Sequence, residues 1–127
     1  MNSQKAAILV NTLVRRTDER RIDWTATSDP RAFETSFSNR TLRIVEGWDD
    51  ESKNHYYHLE LLNETADTID TIYSYEIRKY IPNAREVLAT LYSLARDQAL
   101  ALDEAVDQML EEMGGPVPLH GDDEIPF

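Results

Sequence analysis

The stretch HYYHLELLN, residues 55–63, alternates polar and apolar side chains. Successive side chains of a β-strand point to opposite faces, so Tyr57, Leu59 and Leu61 would share one face. An alternation of this kind predicts a strand that is buried on one side and exposed on the other. The stretch also lies after a polar hairpin loop, GWDDESKN at residues 47–54, which predicts an antiparallel partner before it.

Short strand candidates surround this stretch. The segment TATSDPRA, residues 25–32, is a loop by composition, with Asp29-Pro30 as a turn initiator. A fourth strand is expected near residues 69–75, after the turn NETADT. Together these segments predict a roughly four-stranded antiparallel meander. The first two strands are indicated by Phe33, Thr35 and Phe37 at a period of two, and then by Leu42 and Ile44.

The N-terminal segment has the spacing of an amphipathic helix. Ser3 is placed to cap it, and the helix should end between Thr17 and Arg20. Apolar residues recur there at three- and four-residue steps, as on one face of a helix. They are Ala6, Leu9, Val10, Leu13 and Val14.

The second half of the chain predicts two more helices. Pro82 suits the first turn of a helix over 83–99, and Asp103 is placed to cap another that runs to Met113. Gly114 and Gly115 should stop it. The inward positions are expected to be Val87, Leu88, Leu91, Leu94 and Ala95 in one helix and Ala105, Val106, Met109 and Leu110 in the next.

These elements predict an α+β domain over residues 1–113, with an N-terminal helix, the meander and two C-terminal helices. Residues 114–121, GGPVPLHG, have three Gly and two Pro and no periodicity, so they form a Gly/Pro linker. Residues 122–127, DDEIPF, then form an acidic-apolar tip. The domain is therefore expected to carry a flexible acidic tail.

The chain contains no Cys, which excludes disulfides, thiolate metal sites and thiol nucleophiles. The apolar run AAILV, residues 6–10, is too short for a membrane span or a signal sequence. We therefore expect a cytoplasmic protein with no membrane association.

Charge is unevenly distributed along the chain. Residues 1–45 hold eight Lys/Arg against five Asp/Glu, a net +3, whereas residues 46–127 hold five against nineteen, a net −14. This balance argues against a surface that binds phosphate everywhere, because nonspecific nucleic-acid binding needs a basic footprint. It allows a local basic patch and favours a basic partner protein.

No catalytic constellation is recognisable, and the chain is not expected to be an enzyme or to bind a cofactor. No nucleophile elbow, P-loop or dinucleotide fingerprint occurs. His55 and His58 would point to opposite faces of their strand, which prevents both from binding one metal. His58 and Glu60 share a face, but no third ligand stands at a recognisable spacing, so no metal site is predicted.

Basic residues cluster in the first third of the chain, close in sequence to Trp24, Phe33 and Phe37. Basic side chains among aromatic ones are typical of single-strand nucleic-acid binding. The alternative is that Asp18 and nearby acids neutralise the cluster, and that these aromatics and the tyrosines are core or half-buried residues. The candidate nucleic-acid-binding residues are Arg15, Arg16, Arg20, Arg21, Arg40 and Arg43.

The last six residues are a run of three acids followed by an apolar end: Asp122, Asp123, Glu124, Ile125, Pro126 and Phe127. They resemble the acidic tip of bacterial single-stranded-DNA-binding proteins, whose chains end in several Asp followed by Ile or Leu, Pro and Phe. The resemblance covers these six residues and departs at Glu124, where Asp is usual. Nothing else in the chain resembles that family, which uses a five-stranded OB-fold barrel.

In that family the tip recruits replication, recombination and repair enzymes, including helicases, nucleases, primase and polymerase subunits. The resemblance implies a partner enzyme with a pocket for the Ile-Pro-Phe carboxylate. The Phe127 ring would fill the pocket, a basic side chain would clamp the carboxylate, and the acids would meet a basic rim. Regulators encoded by phages or mobile elements are one class of protein in which such a tip would recruit one of these enzymes or compete for its pocket.

Three alternatives stay open. In the first, the protein binds single-stranded nucleic acid, and its acidic tail folds over the basic patch as an autoinhibitory element. In the second, Ile125 and Phe127 dock on the protein's own core. The helical stripe from Val87 to Met109 exceeds what one small sheet covers, which predicts a homo-oligomer.

Overall fold

A computed structural model describes residues 1–119 of the 127-residue chain. It confirms the α+β class, with a helix, an antiparallel sheet and C-terminal helices. None of the helices within these residues is both long enough and apolar enough to span a bilayer. The elements are α1 (Ser3–Asp18), β1 (Thr25–Ala26), β2 (Ala32–Phe37), β3 (Arg40–Asp49), β4 (Asn54–Leu62), β5 (Thr68–Tyr73), α2 (Ser74–Ile77), α3 (Ala84–Ala99) and α4 (Leu102–Glu112).

The sheet is a meander in which each strand pairs antiparallel with the next, in the order β1-β2-β3-β4-β5. One row of directly paired residues crosses four of its strands: Phe33, Ile44, Leu59 and Ile72. All four side chains are buried. Because paired residues share a face, this row defines the covered side of the sheet. The predicted alternation of residues 55–63 is confirmed, since Leu59 is buried and Tyr57 and Leu61 pack beside the core on the same side.

Helix α3 covers this face, and α1 packs beside α3. The buried residues of α3 are Ala84, Leu88, Leu91, Tyr92 and Ala95. Those of α1 include Val10 and Leu13, which join the same core. The Tyr92 ring lies edge-on to Phe33, with their centroids 5.6 Å apart, and 5.3 Å from the ring of Tyr57. The core is therefore a single layer between the sheet and two helices.

The strand prediction needs two corrections. The sheet has five strands in the described residues instead of four, because Thr25–Ala26 form a short edge strand within the predicted loop. Two residues are too few to show a period of two. The last strand ends at Tyr73, where the Glu76 carboxylate accepts a hydrogen bond from the Tyr73 N–H (3.1 Å) and α2 begins.

Each helix start differs slightly from its predicted cap. Asn2 caps α1 in place of Ser3, and its side-chain oxygen accepts from the N–H groups of Gln4 (2.8 Å) and Lys5 (3.1 Å). Helix α3 begins at Ala84, after Pro82, so Pro82 lies outside its first turn. Asp103 lies in the first turn of α4 and does not cap it, because the chain enters this helix through Ala101 in the left-handed conformation (φ 50°).

The predicted burial of α4 is wrong. No residue of this helix is buried, and Ala105, Val106 and Met109 are exposed. The covered face of the sheet is already occupied by α3 and α1, so α4 has no core to enter. The predicted stop is confirmed: Gly114 and Gly115 both have a φ of +103°, a region that favours glycine, and the N–H of Gly115 donates to the Leu110 carbonyl (2.8 Å).

Truncating the central row should weaken the fold. We expect Leu59→Ala to lower the free energy of unfolding by about 2–5 kcal/mol, because it leaves a cavity in a fully buried position. Ile69→Ala is the matched control, since Ile69 is in the neighbouring strand but exposed, and its effect should stay within about 0.5 kcal/mol. Urea denaturation of both variants measures the difference; equal midpoints would contradict the assignment of this row as the core.

Candidate functional site

The predicted partner-binding tip lies outside the described residues. Asp122, Asp123, Glu124, Ile125, Pro126 and Phe127 belong to residues 120–127. The structure does show the segment that leads towards them. Met113, Val117 and Leu119 are exposed, and Leu119 retains 84% of its accessible surface. The chain therefore leaves the domain on its surface.

The structure divides the predicted basic residues among different surfaces. Arg15 and Arg16 stand in the last turn of α1, where positive charge is favourable to the helix dipole. Arg20 points to α4, with its Nη2 atom 3.4 Å from Asp103 Oδ2. Arg40 pairs across the β2–β3 hairpin with Phe37. Arg43 lies on the opposite face of the sheet from the buried row, since its neighbours Leu42 and Ile44 face the core.

Arg16 and Arg21 line one groove, which we call the α1–β2 groove. It has a volume of about 360 Å³, the size of a small-ligand site. Apart from the two arginines and Thr12 its lining is apolar. Phe37 at its edge is 45% exposed, which contradicts the interpretation that this ring belongs to the core. The groove is lined by Leu9, Thr12, Leu13, Arg16, Arg21, Ile22, Phe37 and Leu42.

Two hydrogen bonds to Thr17 lie next to the turn that carries Arg21. The Trp24 indole N–H donates to the Thr17 hydroxyl (3.0 Å), and the Gln98 amide donates to the Thr17 carbonyl (2.7 Å). Thr17 and Trp24 are both buried. The polar end of Trp24 is thus satisfied, Trp24 is held to the end of α1, and Gln98 joins that end of α1 to α3.

The groove's arginines share one acid. Arg16 donates to Glu19 (2.7 Å), and Arg21 lies 4.0 Å from the same carboxylate oxygen. The hydrogen bond from Arg16 keeps the pKa of Glu19 below its ordinary value. Two positive charges therefore face one negative charge. The arginine side chains remain 45% and 69% exposed, so both guanidinium groups have donors free for another anion.

Arg43 is engaged in a different way. It donates two hydrogen bonds to Glu34 (2.7 and 2.9 Å) and one to Glu60 (3.3 Å) on the uncovered face of the sheet. Burial alone would lower the pKa of Arg43, but the hydrogen bonds and charges of the two glutamates outweigh burial and raise it. This cross-strand triad has a net negative charge, so Arg43 does not contribute positive charge that would attract a phosphate group.

The uncovered face also carries a row of rings that the sequence did not predict as a surface. Tyr56 and His58 stack with centroids 5.9 Å apart, His58 and Tyr73 lie 5.5 Å apart, and Tyr73 stacks on Tyr75 at 5.6 Å. Tyr56, Tyr73, Tyr75 and Tyr80 are exposed, so their predicted half-buried positions are wrong; Tyr57 is half-buried as predicted. The sequence did indicate this surface, because Tyr56, His58 and Glu60 occupy the alternate positions of β4.

His58 is partly enclosed in this row. Its Nε2 atom is 3.2 Å from Glu60 Oε2, while its Nδ1 atom is buried without a hydrogen-bond partner. His55 lies three residues before His58 in β4 and pairs with Trp48 of β3. The two histidines therefore lie on opposite faces of the strand, as predicted. Within residues 1–119 no group of three or more His, Cys, Asp or Glu side chains is placed to hold a metal ion.

The start of α4 borders an acidic cavity of about 300 Å³. From Asp97 onward the chain has nine acids and no Lys or Arg. Five of them fall in α4, which also carries the exposed apolar residues Val106 and Met109. The acids that line the cavity are Asp18, Asp23, Asp97, Asp103 and Glu104. The molecule therefore has an acidic C-terminal side next to the basic turn that follows α1.

Comparison of the chain with protein-family models, with curated protein sequences and with solved structures returns no match.

The Tyr57–Glu46 contact predicts that the free energy of unfolding falls at alkaline pH. Burial raises the pKa of Tyr57 and Tyr92, and the hydrogen bond from Tyr57 to Glu46 (3.1 Å) raises that of Tyr57 further. The unfolded tyrosines lose protons near pH 10, below the folded ones, so the free energy of unfolding should fall as pH rises through that value. Tyr57→Phe should reduce the fall between about pH 9 and 11, whereas Tyr75→Phe at an exposed site should not. Urea denaturation at each pH measures this, and an identical fall in both variants would contradict it.

Proposed function

We propose that this protein is a non-enzymatic interaction protein that displays a mimic of the single-stranded-DNA-binding protein tail. The observation that carries the proposal is the sequence DDEIPF, residues 122–127. Its partner is a DNA replication, recombination or repair enzyme with a pocket that accepts such a tip. The protein recruits that enzyme or competes with the cellular tails for its pocket.

In this proposal each part of the tip makes a different contribution to binding. The ring of Phe127 enters an apolar pocket, and the α-carboxylate of the same residue meets an Arg or Lys at the pocket's lip. Pro126 restricts the backbone and so lowers the cost of ordering it. Asp122, Asp123 and Glu124 face the basic rim, speed the encounter and make binding sensitive to salt.

The charges of the described residues support this proposal. The C-terminal side of the domain is acidic, with five acids and no basic residue in α4. Such a surface is complementary to a basic rim and extends the negative charge of the tip towards the domain. The exposure of Met113, Val117 and Leu119 leaves the connecting segment on the surface of the domain.

Competition for a known tail-binding enzyme tests the proposal. A fluorescent peptide with the tail sequence of a bacterial single-stranded-DNA-binding protein is bound to a purified tail-binding helicase or nuclease, and the full chain is titrated in. The full chain should displace the peptide, and Phe127→Ala should weaken displacement at least about tenfold, because a buried aromatic anchor contributes about 2 kcal/mol or more.

Two further variants sharpen this experiment. One residue added after Phe127 should weaken displacement as Phe127→Ala does, because it moves the carboxylate away from the ring. Leu119→Ala is the matched control, an apolar truncation in the exposed segment before the tip, and should leave displacement unchanged. Equal displacement by the native chain and both tip variants would sink the proposal.

A second candidate function is single-stranded nucleic-acid binding with an autoinhibitory tail. The observation that favours it is the juxtaposition of Arg16, Arg21 and the exposed ring of Phe37 around one groove. Guanidinium groups beside an accessible ring are the elements of a single-strand binding surface. The paired state of Arg43 and the net charge of −11 act against it.

A gel shift with labelled single-stranded DNA separates the two functions. Under the second function, deletion of residues 114–127 should unmask DNA binding, and binding should weaken as salt rises. Under the first, neither the native chain nor the truncated chain binds. Arg16→Gln in the truncated chain should reduce any shift, whereas Lys79→Gln, on a different surface, should not.

A further inference from the structure

We propose that the α1–β2 groove is a binding site for an acidic peptide with apolar residues at its end, and that its occupant is residues 122–127 of the same chain. This inference goes beyond the proposed function, since it concerns the isolated protein and needs no partner. It is carried by the shape, the charge and the position of the groove.

The shape of the groove suits the apolar part of the tip. Leu13 and Leu42 are buried beneath it, and Leu9, Ile22 and Phe37 are partly accessible along it. Its volume of about 360 Å³ is enough for a phenyl ring and a branched aliphatic side chain. Phe127 and Ile125 would shield this apolar surface from water, and the Phe127 ring would pack against Phe37.

The charge of the groove suits the acidic part of the tip. Arg16 and Arg21 stand at its rim and share Glu19 as their ion-pair partner, so each guanidinium keeps donors for a further carboxylate. Asp122, Asp123 and Glu124 bring three negative charges within three residues of Ile125. Guanidinium–carboxylate pairs at the edge of an apolar site add specificity, and they weaken as salt rises.

Three other cavities within residues 1–119 suit the tip less well. The cavity at the start of α4 has five acids in its lining and would repel it. A groove of about 500 Å³ between α1 and residues 80–87 is lined by Ile8, Ile81, Pro82 and their neighbours, and carries no charged side chain. The cavity on the uncovered sheet face holds the Glu34–Arg43–Glu60 triad, which is already paired.

The tip can reach the groove. Ile22 lines both this groove and the cavity at the start of α4, so α4 begins next to the groove. Helix α4 has 11 residues and is about 16 Å long. Residues 116–127, which follow the turn at Gly114 and Gly115, are twelve residues and span up to about 40 Å when extended. The chain is therefore long enough to return to the groove even if α4 runs directly away from it.

Docking in cis would regulate access to the tip. A tethered ligand meets its site at an effective concentration of about millimolar, so even a weak groove is substantially occupied. A partner would then bind with an affinity reduced by the fraction of molecules whose tip is free. The groove thus selects for partners whose pocket binds the tip more tightly than the groove does.

Nuclear magnetic resonance of the full chain tests this inference without a partner. Methyl and aromatic signals of Leu9, Leu13, Ile22 and Phe37 are compared between the native chain and Phe127→Ala. We expect shifts at these groove residues, and we expect the native signals to move towards the variant's positions when salt rises from 50 to 500 mM. Leu119→Ala is the control and should leave the groove signals in place, because Leu119 precedes the tip.

A second pair of variants tests the basic rim of the α1–β2 groove and leaves the hydrophobic core of the protein unchanged. Arg16→Gln with Arg21→Gln should abolish the effect of Phe127→Ala on the groove signals, whereas Arg78→Gln with Lys79→Gln, which remove the same charge from another exposed surface, should preserve it. Thermal unfolding confirms that each variant is folded.

Two results would overturn the inference. Groove signals that are identical in the native chain and Phe127→Ala would show that the tip does not occupy the groove. Shifts that disappear on tenfold dilution would show docking between two copies instead of docking in cis. Either result leaves the competition with the tail peptide unaffected, so failure here is distinguishable from failure of the proposed function.

Discussion

The fold depends on the row of apolar side chains that crosses the sheet from Phe33 through Ile44 and Leu59 to Ile72. Each member pairs directly with the next, so the four strands present one continuous apolar strip to the helices. Helix α3 covers that strip with Leu88, Leu91 and Ala95, and α1 closes the side of α3. A one-residue slip in any of these strands would turn its members to the other face, so burial of this row also fixes the register.

One layer of helices covers one face of the sheet, so the opposite face of the sheet and helix α4 are exposed to solvent. The opposite face carries the Glu34–Arg43–Glu60 triad and the row of rings from Tyr56 to Tyr75. Helix α4 stays on the outside, with no buried residue. An amphipathic helix without a core beneath it keeps its apolar face in water, and here acids flank that face. Acids on both copies would repel each other, which favours a basic partner over self-association of this helix.

The two charged regions of the molecule bear on its proposed role in different ways. The acidic C-terminal side would suit a basic partner in the proposed function, whereas the basic turn after α1 would suit the acidic tip in the proposed docking in cis. Arg20 already joins the two regions through its contact with Asp103. The same complementarity that would guide the tip to an enzyme would also hold it near the α1–β2 groove, and the relative strength of the two sites would set how readily the protein engages its partner.

The sequence by itself determined the α+β class, the covered face of the opening strand, the end of α4 at Gly114 and Gly115, and the tip that suggests a function. These features depend on local patterns, such as a period of two, a period of 3.6 or a glycine at positive φ. Tertiary structure decided the rest. The two-residue strand β1 exists only through its pairing with β2, and the stripe of α4 is exposed because α3 had already covered the sheet. Likewise, Arg16, Arg21 and Phe37 form one groove, while Arg43 lies on the other face, because residues from distant segments meet only when the strands and helices pack.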